Sequence, residues 1–464
     1  MVQGTSSWAG KSLLTTALCR YYARQGVRVA PFKAQNMSNN ARVVSGGEIG
    51  SAQYLQALAC GLEPEVRMNP VLVKPEADSQ SQVIVNGRPD RSLSRTGWRE
   101  RPPSLWPEIE RALSSLLAEF ELVVIEGAGS PAEINLFDTD LANMRTAEAA
   151  DAPVLLVSDI DRGGVFAHLY GTWALLPPAY RRRLAGFVLN KFRGDVSLLA
   201  PGPERLRQLT GVPTLGVLPW LEHGLPDEDG ASARLPTGGR PRVVVVRYPR
   251  ASNLDEFRAL EQVADVVFAD SVASLGSADL LVLPGSKHVA ADLRWLLETG
   301  LGEAVAQAAS QGVRVLGICG GLQMLGRRLR DPAGVDGDGQ GLGLLPLETT
   351  FAAEKLTRQT QLALGELTEP WQLLSGCRLD GYEIRHGSTR ALAPVQEAAP
   401  EGLAFASGPV LGIYLHGLFE NPAAVAALFG RPLAHPLEAT FELLADALGR
   451  HLDTQYLDRL AGIG

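Results

Sequence analysis

Short, wholly apolar runs alternate with helix-like segments from one end of the chain to the other, and this limits the fold more than any other feature. Val27–Phe32, Leu122–Ile125, Val154–Ser158 and Phe187–Leu189 are aliphatic or β-branched, each followed by turn or polar residues, while Ser12–Gln25 and Trp106–Glu119 carry helical spacing. Strands that are apolar on both faces need cover on both faces, as in parallel sheets flanked by helices. The pattern breaks over Pro226–Pro241, rich in Pro, Gly and acidic residues, and restarts at Val243–Val246, Leu280–Leu283, Val313–Ile318 and Val410–Leu415. The expected fold is α/β in two domains, each a mostly parallel sheet with helices on both faces. The expected boundaries are 1–228, a linker at 229–241, 242–425, and a C-terminal helical extension at 426–464 in which Phe441–Leu460 reads as one or two amphipathic helices. The Gly- and Asp-rich Asp331–Gly343 reads as a mobile loop.

Bulk properties narrow the function. At 464 residues the chain exceeds one ordinary core. Its net charge of −8 argues against a general nucleic-acid binder, which needs a basic surface. The four cysteines, at 19, 60, 319 and 377, are too sparse for a disulfide scaffold or a paired-cysteine metal site, and a reducing cytoplasm is the simple reading. No signal-like segment opens the chain, and the longest apolar runs fall far short of a membrane span.

Residues 4–12 read GTSSWAGKS, with five residues between Gly4 and Gly10, one more than the usual phosphate loop. The physics of such a loop survives the extra residue. Gly10 lets backbone N–H groups curl around phosphate oxygens, and the helix beginning near Lys11 points its positive end at them. Lys11 would reach the β- and γ-phosphates of ATP, and Ser12 would bind Mg²⁺, a hard cation that prefers oxygen. Lys33, in PFKAQNMSNN, suits a reaction in which a carboxylate attacks ATP, because a second lysine neutralises charge on the acyl-phosphate-forming transition state. The polar run Gln35–Asn40 beside it fits a ligand face.

Val313–Ile318 leads into Gly317-Ile318-Cys319-Gly320-Gly321 and then a helix-like segment. Glycines on both sides permit a sharp strand-to-helix turn that lifts one nucleophile above the strand ends. A helix N-terminus favours the Cys319 thiolate. Gly320 N–H supplies half of an oxyanion hole, and Gly285, in LPGSKH at another strand end, is the candidate for the second donor. Of seven histidines, His416 is best placed as the base, because it ends the strand-like Val410–Leu415 and precedes Gly417. His386 is the runner-up and His288 the third choice.

The lengthened loop with Gly4 and Thr5 at its start, VVIEGAGS at 123–130 and FVLNKFRGD at 187–195 together resemble the dethiobiotin synthetase-like branch of P-loop proteins. That resemblance implies a role for Glu126 in holding Mg²⁺ and for Asn190 in contacting adenine. From residue 242 to about 425 the Cys…His order resembles the class I glutamine amidotransferases, with a flavodoxin-like sheet. Their usual acid two residues after the histidine is replaced by Leu418. Cys319 and His416 then act as a dyad, or a backbone carbonyl orients the imidazole; Glu420 is near in sequence but need not reach it.

The combination, with VQGTSSWAGKS, PFKAQNMSNN, VRMNPVLVKP, IEGAGSPAEINL, SDIDRGGVFA, GICGGLQMLG and YLHGLFEN spread over nearly the whole chain, resembles the cobyrinate amidase group, and within it the glutamine-hydrolysing cobyric acid synthases. The resemblance implies ATP- and glutamine-dependent amidation of the b, d, e and g carboxylates of adenosylcobyrinic acid a,c-diamide in cobalamin biosynthesis. It implies small-molecule partners, no nucleic acid and no membrane, and leaves a homo-oligomer open. Ammonia protonates in water, so a sheltered path or closure between the domains is expected. Asp140, in DTDLANM, is a candidate for orienting substrate or ammonia, with a helix N-cap as its other reading; Asp161 is a second candidate. The rivals are an amidase of the same group acting on the a and c carboxylates, a partition-type ATPase with no use for Cys319, and a scaffold with a dead glutaminase.

Overall fold

The computed structural model describes residues 1–77, 80–225, 239–433 and 437–463, so most of the expected linker at 229–241 lies outside the described residues. In the first half, six strands form a parallel sheet in the order Val29–Phe32, Leu122–Ile125, Val2–Gly4, Val154–Asp159, Leu184–Phe192, Thr214–Pro219, with Val2–Gly4 joined to its neighbour through a Val2–Glu126 bridge. The helix Lys11–Arg24 covers one face, burying Leu14 and Leu18 against Val2, Val124 and Val188. Strand order reverses at Val2–Gly4, so the crevice above its carboxyl end, where such sheets bind ligands, is occupied by the loop from Gly4 to Gly10.

The second half repeats the principle. Asp265–Ala269, Arg242–Val246, Leu280–Leu283, Arg314–Ile318 and Val410–Ile413 run parallel in that order, and Ala404–Ser407 and Gln396–Ala399 extend the edge antiparallel. Both halves are therefore the expected α/β sheets with helical cover.

A long hairpin, Leu347–Ala363 with Arg378–Ala391, reaches from the second half to the first. Its Tyr382 and Ile384 pack with Ala41, Val43, Leu72 and Ile84 of the first half. Beside them Glu48, fully buried, meets Lys74 of its own half and Lys355 of the hairpin at 2.6 Å. Burial alone would raise the Glu48 pKa, but the surrounding lysines hold the carboxyl well below its ordinary range.

Two expectations change. Asp331–Gly343 is not a loose loop: Gly339–Gln340 pairs with Arg328–Arg330, Asp331 accepts from Val335 and Asp336 N–H at 3.1 and 2.7 Å, and Asp336 accepts from Val289 and Ala290 N–H at 2.9 and 2.7 Å. The C-terminal helices, Leu437–His451 and Thr454–Ala461, return to the first half. Phe441, Leu444 and Leu448 enter the core around Leu14 and Leu18, and Glu442 pairs with Arg20 at 2.6 Å. No helix among the described residues is long and apolar enough to cross a membrane.

Candidate active sites

Cys319 follows the strand Arg314–Ile318 and opens the helix Gly320–Leu325 with φ 52° and ψ −105°, a conformation that side-chain-bearing residues seldom adopt. Its neighbours explain how the turn closes. A Cβ on Gly321 would lie 1.9 Å from Leu283 O and one on Gly320 2.8 Å from Ser286 N, so the helix can press against the adjoining strand end only with glycine there. Cys319 N donates to Ile413 O at 2.8 Å and its thiol to Ile384 O at 3.4 Å. The side chain is buried but lines a cavity.

His416 is locked in place by its backbone, donating to Tyr382 O at 2.9 Å and accepting from Tyr382 N at 3.2 Å. Its imidazole and the Cys319 side chain line the same cavity. On the other side, Nδ1 lies 3.0 Å from Glu256 Oε1. This overturns both sequence alternatives: the pair is not a dyad, and no carbonyl orients the ring. The acid comes from the short 3-10 helix Leu254–Gln262, which follows the strand Arg242–Val246. Glu256 is fully buried, and its second oxygen accepts Gly417 N–H at 3.0 Å. Leu418 is a core residue, and Glu420 turns to Arg42 at 2.5 Å. Burial disfavours the imidazolium, but the Glu256 carboxylate and then Cys319 outweigh it and push the His416 pKa up to about 10. The arrangement therefore favours a protonated imidazole beside the nucleophile.

The candidate for the second oxyanion donor also shifts. Gly285–Ser286 pairs antiparallel with Ala251–Ser252, and Lys287 N donates to Arg250 O at 2.9 Å. Antiparallel ladders alternate, so Gly285 faces Ser252 as a hydrogen-bonded pair while Ser286 turns its N–H away from the ladder. That N–H is the one pressed against Gly320. Gly285 contributes by its small size, since a Cβ there would come 2.9 Å from His416 Cε1.

His386 and His288 are otherwise engaged. His386 Nδ1 sits 3.1 Å from Ala352 O, and His288 caps the helix Val289–Glu298 and pairs with Asp336 at 3.2 Å.

In the first half, Gly10 has φ 101° and caps Lys11–Arg24. Asn190 Nδ2 donates to Ala9 O at 3.0 Å, and a Cβ on Gly10 would come 1.9 Å from that nitrogen. Asn190 therefore braces the loop itself. Thr5 Oγ1 meets Ser158 Oγ at 2.8 Å. Lys11 Nζ donates to Ser6 O and Gly129 O at 3.0 and 3.1 Å. Glu126, fully buried, gathers Ser12 Oγ at 2.8 Å, Lys33 Nζ at 2.9 Å and Gln56 Nε2 at 2.5 Å. Ser12 and Glu126 thus present hydroxyl and carboxylate oxygens side by side at the mouth of a helix, a donor set that fits Mg²⁺ with nucleotide phosphates.

Lys11 and Lys33 line a cavity of about 590 Å³ with Asn36, Ser38, Asn40 and Asp140, so the polar run faces that cavity. Asp140 accepts from Ala142 and Asn143 N–H at 2.9 and 3.1 Å and from Asn143 Nδ2 at 2.9 Å. It folds its own turn while lining the cavity. Burial pushes its pKa up, against the pull of those bonds. Asp161 pairs with Arg193 at 3.2 Å and lines neither of the two cavities described here.

Cys319 and His416 open into the other cavity, about 2040 Å³, whose walls include Val43, Glu65 and Trp98 of the first half and Lys355 and Arg385 of the hairpin. The two cavities share Met37, Pro75 and Trp98 as lining residues.

Known proteins place these two sites in context. Residues 1–226 match the CobQ/CobB/MinD/ParA nucleotide binding domain, and residues 242–424 match the CobB/CobQ-like glutamine amidotransferase domain. The chain is 55% identical over 495 residues to the cobyric acid synthase of Polaromonas sp. strain JS666, covering 99% of this chain and 97% of that protein. It is 56% identical over 472 residues to the cobyric acid synthase of Variovorax paradoxus strain S110, covering 99% and 98%. With a nucleotide-binding half and a glutaminase half in the same order over nearly the full length, the chain belongs to the cobyric acid synthase family.

Proposed function

We propose that this protein converts adenosylcobyrinic acid a,c-diamide to cobyric acid by amidating its b, d, e and g carboxylates, with glutamine as nitrogen donor and ATP as activator, in the cytoplasm. Synthetase chemistry is assigned to residues 1–228 and glutamine hydrolysis to 242–425. The observation that carries the reading is the position of Cys319. The nucleophile opens into a cavity walled by the synthetase half, and that cavity adjoins the one lined by Lys11 and Lys33.

In the glutaminase, the Cys319 thiolate attacks the carboxamide carbon of glutamine. Gly320 and Ser286 N–H groups stabilise the oxyanion. His416 passes its proton to the departing ammonia, and Glu256 holds the ring in the tautomer that makes this transfer direct. His416 then takes a proton from the water that cleaves the thioester, releasing glutamate.

In the synthetase, a corrinoid carboxylate takes the γ-phosphoryl group of ATP, and ammonia displaces phosphate from the acyl phosphate to give the amide. Lys11 and Lys33 offset the charge that develops on the transferring group. A Mg²⁺ ion held by Ser12 and Glu126 would screen the phosphates. Asp140, on the cavity wall, is assigned the orienting of the incoming nitrogen or the carboxylate.

Incubation of the purified chain with the a,c-diamide, ATP and glutamine, followed by mass spectrometry, tests the reading. Four successive amidations, supported equally by supplied ammonia in Cys319→Ala, are expected. Amidation of cobyrinic acid only at a and c would replace it with the diamide synthase reading.

A further inference from the structure

Arg42 belongs to the synthetase half, on the strand Ala41–Val44, yet every group its guanidinium contacts here lies in the glutaminase half. It is buried, 3% exposed. Nη2 lies 2.8 Å from Asp255 Oδ2 and 2.5 Å from Glu420 Oε1, and Nη1 donates to Tyr382 Oη at 2.5 Å. The contact with Asp255 is an ion pair by distance, without hydrogen-bond alignment. Asn253 Nδ2 donates to the same phenol oxygen at 3.2 Å, and Asn253 Oδ1 accepts Ala41 N–H at 3.4 Å.

These contacts end on the histidine. The Tyr382 ring stacks on the His416 imidazole with centroids 5.3 Å apart and planes 17° apart. Asp255 adjoins Glu256, the partner of His416 Nδ1. The charged and titratable groups around His416 are Glu256 and Asp255 from the 3-10 helix, Glu420 just beyond the histidine itself, Tyr382 from the hairpin, Cys319 from the nucleophile turn, and Arg42 from the other half. Glu256 pairs with the imidazole itself, and Arg42 is the guanidinium that offsets the two carboxylates near that pair in sequence, Asp255 and Glu420.

We propose that Arg42 is a positioning residue through which the synthetase half sets the glutaminase: it holds Tyr382 flat against His416 and neutralises Asp255 and Glu420, so that the imidazolium can surrender its proton to the leaving ammonia. Unneutralised carboxylates would hold that proton more tightly and make His416 a weaker acid. A free phenol would let the ring rotate away from Cys319. Glutamine hydrolysis is thereby tuned by a residue of the domain that consumes the ammonia. The proposal rests on the reading of Cys319 as glutaminase nucleophile.

The test uses the full-length chain with Arg42→Gln, Arg42→Lys and Tyr382→Phe, measuring glutamate release, ammonia-supported amidation and the pH dependence of both. Arg42→Gln is expected to lose about tenfold or more in kcat for glutamine, part of the roughly 10²–10⁴-fold that a positioned acid–base group contributes. The KM for glutamine should change little, the alkaline limb should move to higher pH, and ammonia-supported amidation should stay within about twofold of wild type, a reference measured in the same assay. Arg42→Lys, which keeps the charge, should recover part of the rate. Tyr382→Phe, which keeps the ring and loses the grip, should show a smaller loss in the same direction, and it decides the matter if Arg42→Gln does not fold. Wild-type kcat and pH profile in Arg42→Gln, or equal loss of glutamine- and ammonia-supported activity in both variants, would overturn the proposal. If the wild type itself hydrolyses no glutamine, the reading of Cys319 fails instead.

Discussion

Glu256 and His416 stand 160 residues apart in the chain and meet at 3.0 Å, both buried, with the carboxylate also taking the N–H of the residue after the histidine. One carboxylate thus fixes both the ring and the backbone that carries it. Glu256→Gln keeps the shape and removes the charge. It should lower glutamine-dependent amidation by about 10²–10⁴-fold, the range expected when an orienting acid is neutralised. Amidation with supplied ammonia should be unchanged, and a steady-state assay with each nitrogen source separates the two.

The same pair makes a statement about pH. Because the folded-state pKa of His416 is raised from 6.5 to about 10, its stabilising contribution is fully present below about 6.5 and is lost as pH rises through about 10. Thermal midpoints measured between pH 6.5 and 10 should fall more steeply for wild type than for Glu256→Gln, in which the partner that raises the pKa is neutral. Parallel curves would remove this interaction as the source.

Gly10 is held at φ 101° with no space for a side chain against Asn190. Gly10→Ala should force the loop out of shape at a cost of about 1–3 kcal/mol locally. The expected result is a raised KM for ATP and a loss of amidation with either nitrogen source, while basal glutamine hydrolysis persists. Isothermal titration with a non-hydrolysable ATP analogue is the direct check.

Lys33 is almost wholly buried and ion-paired with Glu126. Lys33→Met removes the cation and leaves the carboxylate with neutral donors from Ser12 and Gln56, and deleting one partner of a buried pair costs about 3–5 kcal/mol. Chemical denaturation should show that loss in the first half, and ammonia-supported amidation should fall below about one per cent of wild type if Lys33 also neutralises the transferring phosphoryl group.

What the sequence revealed follows from how local each feature is. Cys319 was legible because a strained turn needs glycines beside it, and His416 because a histidine that ends a buried strand has few other uses. Both signals lie within a few residues of the group itself. Glu256 was not legible. It is the second of two adjacent acids in NLDEF, and nothing there separates the one that turns inward to the imidazole from the one that turns to Arg42. Only the fold, which keeps Arg242–Val246 and Val410–Ile413 in one parallel sheet and brings the segment after the first to the histidine after the second, makes the distinction. Asn190 was read as an adenine contact; its Nδ2 also braces the phosphate loop, a packing role that composition does not announce. The Gly- and Asp-rich segment 331–343 resembled a loose loop because its order comes from Asp331 and Asp336 capping backbone N–H groups, one set from a helix outside the segment.

Glu48 takes one lysine from each half of the molecule, and all three groups are buried or nearly so. The carboxylate thus holds a contact on each side of the seam and pins the hairpin to the first half, beside the cavity that Lys355 lines. The joint is a rivet, not a jaw. On the function proposed above, a substrate bearing several carboxylates would then meet one fixed seam in every round.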